Sequence, residues 1–328
     1  LFDDIENRTF KSRLRETAMA IPFVWQFYGW YWRLRTKREL NRPCSPDPRI
    51  ISFGDFDEPS LEAPVSQLCT SSQIMSKTYK SWCNLMRTPP KFSRKQWEFV
   101  YILQVLRMNG LLQPGKKSLG FGCGREPLPG VFAKHGCQVT ATDLGAESAR
   151  EKGWVHTMQH AASLAELYQA SHWLVDETAF KRLVDFEIVD MNQVPPDHFG
   201  AYDFVWSSCA LEHLGSLEAG LIFIENSAKC LKPGGVAVHT TEFNLSSKDE
   251  TMEHEQCCIY RERDIRNLVE RLEQSGYEVA PLNLNIGDGN VDCVVDTPPF
   301  SNSPHLKLEL SGYVSTSLGL IVFNTYDA

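Results

Sequence analysis

The 328-residue sequence contains no apolar run close to the ~18 residues that cross a bilayer as a helix. No charged leader followed by a short apolar stretch marks it for secretion. Cys-x-x-Cys pairs are missing. The ten cysteines are scattered, with Cys257 and Cys258 the sole adjacent two. That spacing argues against a disulfide framework or a zinc site and for reduced thiols in a cytoplasmic setting. There is no basic excess either. A net charge of −8 excludes a large phosphate-tracking surface, and no nucleic-acid partner is expected. Internal repeats and low-complexity tracts are absent. The numbering does not begin with Met, so a natural start beyond residue 1 is expected.

What is present reads as a water-soluble globular chain, 42% apolar and 23% charged, long enough to bury a sizeable core. Its charge is uneven, because residues 1–42 hold nine Lys/Arg against five Asp/Glu. Residues 6–20 and 23–40 have helical composition, broken at Pro22. The second begins "FVWQFYGWYWRLRTKR", aromatics followed by cations. Such a helix rests on a membrane surface or packs on its own domain or a partner, so residues 1–42 are an expected peripheral membrane or protein contact. Residues 41–65 are rich in Pro, Asp and Ser and read as a linker. Residues 66–86 read as helical, ending before Pro89–Pro90. Residues 93–112 read as a strong amphipathic helix with Ser93 as N-cap and Gly110 as its stop. The expected division is a helical extension and possible lid over 1–90, then one domain over 91–328.

From residue 117 short β-rich runs alternate with helices. Seven strand runs stand out: "KSLGFG", "CQVTATDL", "FEIVDM", "YDFVWSS", "GVAVHTTEF", "YEVAPLNL" and "VSTSLGLIVFN". The pattern predicts an α/β fold, a mostly parallel sheet with helices on both faces. Such sheets bind ligands at the carboxyl ends of their strands. Gly120, Gly122 and Gly124 stand at the end of the first run, in "SLGFGCGREPLPG". A dinucleotide loop needs G-x-G-x-x-G, and Pro127 occupies the place of the third glycine. A Walker lysine is absent as well. Glu126 repels a pyrophosphate but attracts an ammonium or sulfonium. Asp143 ends the second run, where a carboxylate accepts from ribose hydroxyls or caps a helix. Asp190 ends the third, where it accepts from an adenine amino group, with Met191 against the ring, or serves a turn.

The glycine loop, the strand-two acid, the strand-three Asp, the strand-four "DFV" and "LKPGG" together resemble the class I S-adenosylmethionine-dependent methyltransferases over roughly residues 93–328. The resemblance implies a Rossmann-like seven-stranded sheet and S-adenosylmethionine as cofactor. It implies a binding site drawn from Gly120, Gly122, Gly124, Glu126, Asp143, Leu144, Asp190, Met191 and Ser207. Two positions depart from that family: Gly120 stands where an acid is usual, and Glu126 where a small residue is. Glu126 is the expected substitute partner for the methionine ammonium. A narrower likeness, through "SQLCTSSQ", "RKQWEFVYILQVL", "SSCALEHLGSLEAG", "AVHTTEFN" and "HLKLELSGYVSTSLGLI", is to bacterial methyltransferases found with glycan-assembly genes. It implies O-methylation of a carbohydrate or glycan hydroxyl.

A neutral hydroxyl acceptor needs a base or a metal. His213, just past strand four, is the expected base, with Glu242, just past strand five, orienting substrate or imidazole. Metal-free chemistry is the main expectation; a hard cation held by His213, Glu242 and His254 is the alternative. His239 is expected to be a satisfied core histidine, and residues 249–256 a solvated loop. Residues 285–311, with Asp288, Asp292, Asp296 and His305, read as an acceptor-side insertion. Alternative functions are a small-molecule or lipid-linked N- or O-methyltransferase and a binding subunit that has lost catalysis. An NAD-dependent oxidoreductase is disfavoured by the missing glycine.

Overall fold

The computed structural model describes residues 34, 36–41, 43–151, 153, 159–301 and 303–326. The helix expected over 6–20, and most of that over 23–40, lie outside the described residues; of the latter, 36–40 are helical.

In chain order the elements are β1 (Ser66–Leu68), α1 (Ser71–Met75), α2 (Lys77–Leu85), α3 (Arg94–Met108), β2 (Lys117–Phe121), α4 (Leu128–Lys134) and β3 (Gln138–Asp143). Then come α5 (Ala146–Glu151), α6 (Leu164–Gln169), α7 (Glu177–Leu183), β4 (Val184–Ile188), β5 (Tyr202–Ser208), α8 (Leu217–Ala228) and β6 (Leu231–Asn244). A hairpin, β7 (Glu253–His254) and β8 (Cys257–Cys258), precedes α9 (Glu262–Gln274). The chain continues through β9 (Tyr277–Val279), β10 (Leu282–Asn283), β11 (Val295–Asp296), β12 (Lys307–Leu310) and β13 (Tyr313–Asn324).

Strands β4-β3-β2-β5-β6 lie side by side and parallel, and β13 closes them antiparallel to β6. β9 pairs antiparallel with β13. These are the seven strand runs of the sequence, and the fold is Rossmann-like. Four short strands, β1, β10, β11 and β12, enlarge the sheet to eleven. Two apolar cores sandwich it. One gathers Trp97, Tyr101 and Leu103 of α3 with Val131 and Phe132 of α4. The other gathers Leu221 and Ile224 of α8 with Leu268 and Leu272 of α9. The connections leave β2 and β5 in opposite directions, which opens a crevice at the carboxyl ends of these two neighbours.

Three readings of the sequence need correction. The helix expected over 66–86 starts at residue 71; Ser66–Leu68 is a strand between β13 and β10. Its polar side chains hid it, yet they are satisfied internally: Ser66 Oγ accepts from the Ile321 N–H at 3.1 Å and Gln67 Nε2 donates to Gln73 Oε1 at 2.6 Å. α3 is buried through its middle on all sides, Val100 to Leu106 without a break, so it is a core helix rather than an amphipathic one. Its Ser93 side chain makes no cap hydrogen bond. The 249–256 stretch is not a simple solvated loop, because Glu253–His254 pairs with Cys257–Cys258 as a hairpin.

Candidate functional site

The crevice is lined by Gly122, Asp143, Leu144, Ala149, His160, Val189, Asp190, Met191, Ala210, His213 and Leu214. Gly122 (φ +57°) and Gly124 (φ +52°) turn the chain in the left-handed region that favours glycine. The contacts explain the rest of the alternation. A Cβ on Gly122 would sit 2.8 Å from that of Ala210 and 3.3 Å from the Met191 sulfur; one on Gly124 would strike the Gln159 carbonyl. At Gly120 the obstacle is protein, not ligand: a Cβ would lie 2.1 Å from the Trp206 ring.

Asp143 is buried in the crevice wall and ties the loop together. Its Oδ2 accepts from the N–H groups of Gly124 at 3.1 Å and Ala161 at 3.0 Å, and its Oδ1 from that of Leu144 at 2.8 Å. A carboxylate offers about four acceptor sites, so about one remains for a ligand rather than two. Burial pushes its carboxyl above the ordinary range. Asp190 lines the crevice and fills the turn role considered for it: its Oδ1 accepts from the Asn192 N–H at 2.9 Å, capping a 3-10 turn. Four of the expected cofactor residues, Gly120, Gly124, Glu126 and Ser207, are not in the lining. Gly120 is beneath Trp206. Ser207 is fully buried, its hydroxyl 2.8 Å from His239 Nδ1. Glu126 is buried with its Oε1 accepting from Trp206 Nε1 at 2.7 Å. Sequence reasoning missed His160, whose Nε2–H donates to the Leu144 carbonyl at 2.7 Å. It lies in a connecting segment without regular periodicity, and no motif marked it.

The end of β5 delivers the next residues. Cys209 has φ +47°, a tight turn that starts the 3-10 stretch Leu211–His213. His213 Nδ1–H donates to the Gln256 carbonyl at 2.5 Å, which makes Nε2 the lone-pair nitrogen of the neutral ring. The β7–β8 hairpin therefore orients this imidazole. The carboxylate beside it is Glu212, with Oε1 3.9 Å from Nε2, and Glu212 Oε2 accepts from Thr241 at 3.2 Å. Glu242 turns elsewhere: it is ion-paired with Arg94 and accepts from Ser315 at 2.6 Å. As expected, His239 is a satisfied core histidine, bonded to Ser207 and, at 2.9 Å, to Ser227.

Around Glu242 lies a buried charge cluster. Glu98 is 3.4 Å from Arg94 and 3.1 Å from Lys95, and its oxygens accept from Ser317 at 2.5 Å and Cys209 at 2.9 Å. Burial works against the Glu98 carboxylate, but Lys95 and Arg94 hold it below its ordinary range. Burial also pushes the Cys209 thiol well up, so it is no thiolate nucleophile. The imagined His213–Glu242–His254 metal set is not formed among the described residues. The one group with ligand atoms within 4.8 Å of one another there is Cys209, Glu212 and Glu242. His254 instead accepts from the Gln256 N–H at 3.2 Å. In the insertion, Asp292 accepts from Ser71 N–H and Oγ–H at 2.8 and 2.5 Å, and His305 lies 2.6 Å from Asp296. Asp292 ties the insertion to the start of α1, while the Asp296–His305 contact lies within the insertion. No described helix is long and apolar enough to cross a membrane.

The model of the methyltransferase domain family matches residues 95–282, more than half of the chain. Two curated relatives, ubiquinone biosynthesis O-methyltransferases of Psychrobacter arcticus and Psychrobacter cryohalolentis, are 28% identical over 127 residues. The match covers 39% of this chain and 41% of the length of each relative. Solved structures with partial likeness include a SAM-dependent methyltransferase from Aquifex aeolicus (17% identity, 68% of this chain and 88% of that one, TM-score 0.37). Another is magnesium protoporphyrin IX methyltransferase from Synechocystis with bound SAH (15%, 76% and 96%, TM-score 0.40).

Proposed function

The chain belongs to the methyltransferase domain family, and from that premise we propose that it transfers the methyl group of S-adenosylmethionine to a hydroxyl of a small acceptor. The observation that carries this reading is one crevice lined by Gly122, Asp143, Asp190 and Met191 with His213 on its wall. The residues fit the nucleoside end of the methyl donor. Asp143 would hold a ribose hydroxyl with its remaining acceptor site, Asp190 would accept from an adenine amino group, and Met191 would pack on the ring. Leu144 and the positive-φ loop at Gly122 and Gly124 shape the walls. The bound donor supplies a methyl on a positively charged sulfur, and the displacement requires an in-line acceptor shielded from water. His213 takes the proton the acceptor hydroxyl must lose, through Nε2, with Nδ1–H fixed on Gln256. Glu212 stabilises the imidazolium that forms. Glu242, buried and paired with Arg94, serves in this reading to hold that arginine rather than to touch the acceptor.

A carbohydrate or glycan hydroxyl is the acceptor favoured by the sequence motifs. The 28%-identical ubiquinone biosynthesis O-methyltransferases favour a second reading, a hydroxyl of a quinone precursor. A screen with methyl-labelled S-adenosylmethionine against nucleotide sugars, oligosaccharides, lipid-linked glycans and polyphenols tests both. Label in an ether of a sugar supports the first and label on a phenol the second. Labelled amines alone would overturn the hydroxyl reading. Binding of the donor without transfer to any acceptor would favour a non-catalytic binding subunit.

A further inference from the structure

His213 lines the crevice, and its use as a base depends on which ring nitrogen carries the proton. A neutral imidazole on a turn adopts either tautomer unless a partner fixes one. Here the Gln256 carbonyl does so, 2.5 Å from Nδ1, at the tip of the β7–β8 hairpin. The hairpin cannot hold that tip in place by itself. Each of its strands is two residues long, and even a longer isolated hairpin is marginal in water. Its turn is Glu255–Gln256, and neither residue has a positive φ. The turn is therefore neither of the two types, I′ and II′, whose twist matches that of paired strands.

Side-chain hydrogen bonds make up for this. Glu253 Oε1 accepts from the Leu217 N–H at 3.0 Å, in the first turn of α8. A carboxylate is favoured there by the unpaired N–H groups and the positive end of the helix. Ser216 caps the same helix at Ala219, so Glu253 takes a donor that the cap leaves open. His254 Nδ1 accepts from the Gln256 N–H at 3.2 Å and closes the turn. Both residues are exposed, so they act through these bonds rather than through core packing. Beyond the hairpin, the Tyr260 N–H donates to the Glu242 carbonyl at 2.9 Å. β8 packs against the 3-10 stretch that carries His213. The Cys257 thiol, opposite His254, is pushed up by burial and by the charges of Glu212 and Glu242, and remains a neutral neighbour. The hairpin thus grips the β5–α8 connection at two places, His213 and Leu217.

We propose that Glu253 and His254 are positioning residues for the base. Glu253 pins the hairpin to the start of α8, and His254 closes its turn, so that the Gln256 carbonyl keeps His213 in the form with a bare Nε2. This rests on the reading of His213 as the base. In the other tautomer Nε2 carries a hydrogen and donates where it must accept, and the acceptor proton has nowhere to go. The acidic stretch "DETMEHEQ" (249–256) then has a use that needs no metal.

Nitrogen-15 spectra of the histidine side chains read the tautomer directly and need no acceptor. At about pH 8.5, where an imidazole is ordinarily neutral, wild-type His213 should show a protonated Nδ1 and a bare Nε2. His254→Ala and Glu253→Ala should each mix in the other tautomer. His254→Asn should restore the single form, because an asparagine oxygen accepts from the N–H two residues on. Glu253→Gln should restore it too, because it keeps an acceptor oxygen for Leu217. Calorimetry with S-adenosylmethionine should give wild-type affinity in all four variants. Methyl transfer from the labelled donor, to the hydroxyl acceptor that the screen returns, should fall about tenfold in kcat in the alanine variants and recover in the other two. A protonated Nε2 in the wild type, or alanine variants with an unmixed tautomer or wild-type kcat, overturns the proposal while the base reading stands. His254 is an exposed turn residue, so its two variants decide the matter if Glu253→Ala does not fold. Full methyl transfer by His213→Ala would overturn the base reading, and the positioning roles with it.

Discussion

Trp206 Nε1 donates to Glu126 Oε1 at 2.7 Å, and the same indole lies against the Cα of Gly120, where a Cβ would be 2.1 Å from the ring. The first glycine of "SLGFGCGREPLPG" is thus kept bare by a tryptophan distant in sequence but adjacent in register on the neighbouring strand, Gly120 opposite Trp206. Gly120→Ala forces a methyl into the ring and into Cys123, 2.5 Å away. Overpacking of this kind costs ~1–3 kcal/mol. The expected outcome is a lower urea midpoint, since displacing the ring also breaks its hydrogen bond to Glu126. A variant of unchanged midpoint would show that the indole has room to move.

Glu126 also predicts a pH slope in the unliganded protein. Its folded carboxyl titrates near 8 against about 4.3 in an unfolded chain. Between those values the unfolded state binds fewer protons, so stability falls as pH rises from about 4.5 to 8. Glu126→Gln removes that loss and should be more stable than wild type above pH 8, and relatively less so near pH 5. Urea unfolding at the two pH values reads the difference. Parallel curves for the two proteins would mean that the carboxyl is ionised throughout.

His239 predicts the opposite slope on the acid side. Burial pushes its imidazole down to about 3, while an unfolded histidine titrates near 6.5. Its contribution is fully present above 6.5 and is lost as pH falls through that window, because only the unfolded state takes up the proton. Between pH 7 and 5 the loss is about 2 kcal/mol. In His239→Gln, the loss over this interval should be smaller by that amount. Equal losses would place the titration elsewhere.

The parts of this protein legible in its sequence are those written in local periodicity. The seven strand runs and the carboxyl-edge position of Asp143, Asp190 and His213 follow from alternation and from strand ends. What escaped reading depends on partners distant in the chain. Ser66–Leu68 pairs with residues 318–319 and 282–283, and nothing near residue 66 records that. α3 is covered on all sides by elements on both flanks of the sequence. Glu242 was placed beside the imidazole because both end neighbouring strands. Arg94, 148 positions earlier, draws the carboxylate away. His160 enters the crevice from a connection whose shape is set by Asp143 holding Ala161.

His213 and Glu212 separate by function from the charges around them. His213→Ala should lower turnover by ~10²–10⁴-fold, the usual contribution of a placed general base. Glu212→Gln should lower it less, since it supports the imidazolium without touching the acceptor. Chelator treatment should leave the rate unchanged. Arg94 already occupies Glu242, one of the three groups within reach of a common cation. Loss of turnover on chelation with recovery in Mg²⁺ or Mn²⁺ would replace the base by a metal at Glu212 and Glu242.

Arg94 and Glu242 supply the sharpest separation of fold from chemistry. Their ion pair is buried at the junction of α3, β6 and β13. Arg94 also reaches Glu98 at 3.4 Å and Ser317 at 3.3 Å. Desolvating such a pair costs nearly as much as the attraction returns, whereas removing one partner strands a buried charge and typically costs 3–5 kcal/mol. Arg94→Met should therefore be strongly destabilised, because it leaves Glu242 and Glu98 facing each other with Lys95 as the remaining nearby cation. Adding Glu242→Leu to it should recover part of the loss, so that the double variant is more stable than the sum of the single changes requires. If Glu242 acts through Arg94, Glu242→Gln should lose stability and keep most of its turnover per folded molecule. A Glu242→Gln enzyme of wild-type stability and no turnover would instead place this carboxylate on the acceptor itself.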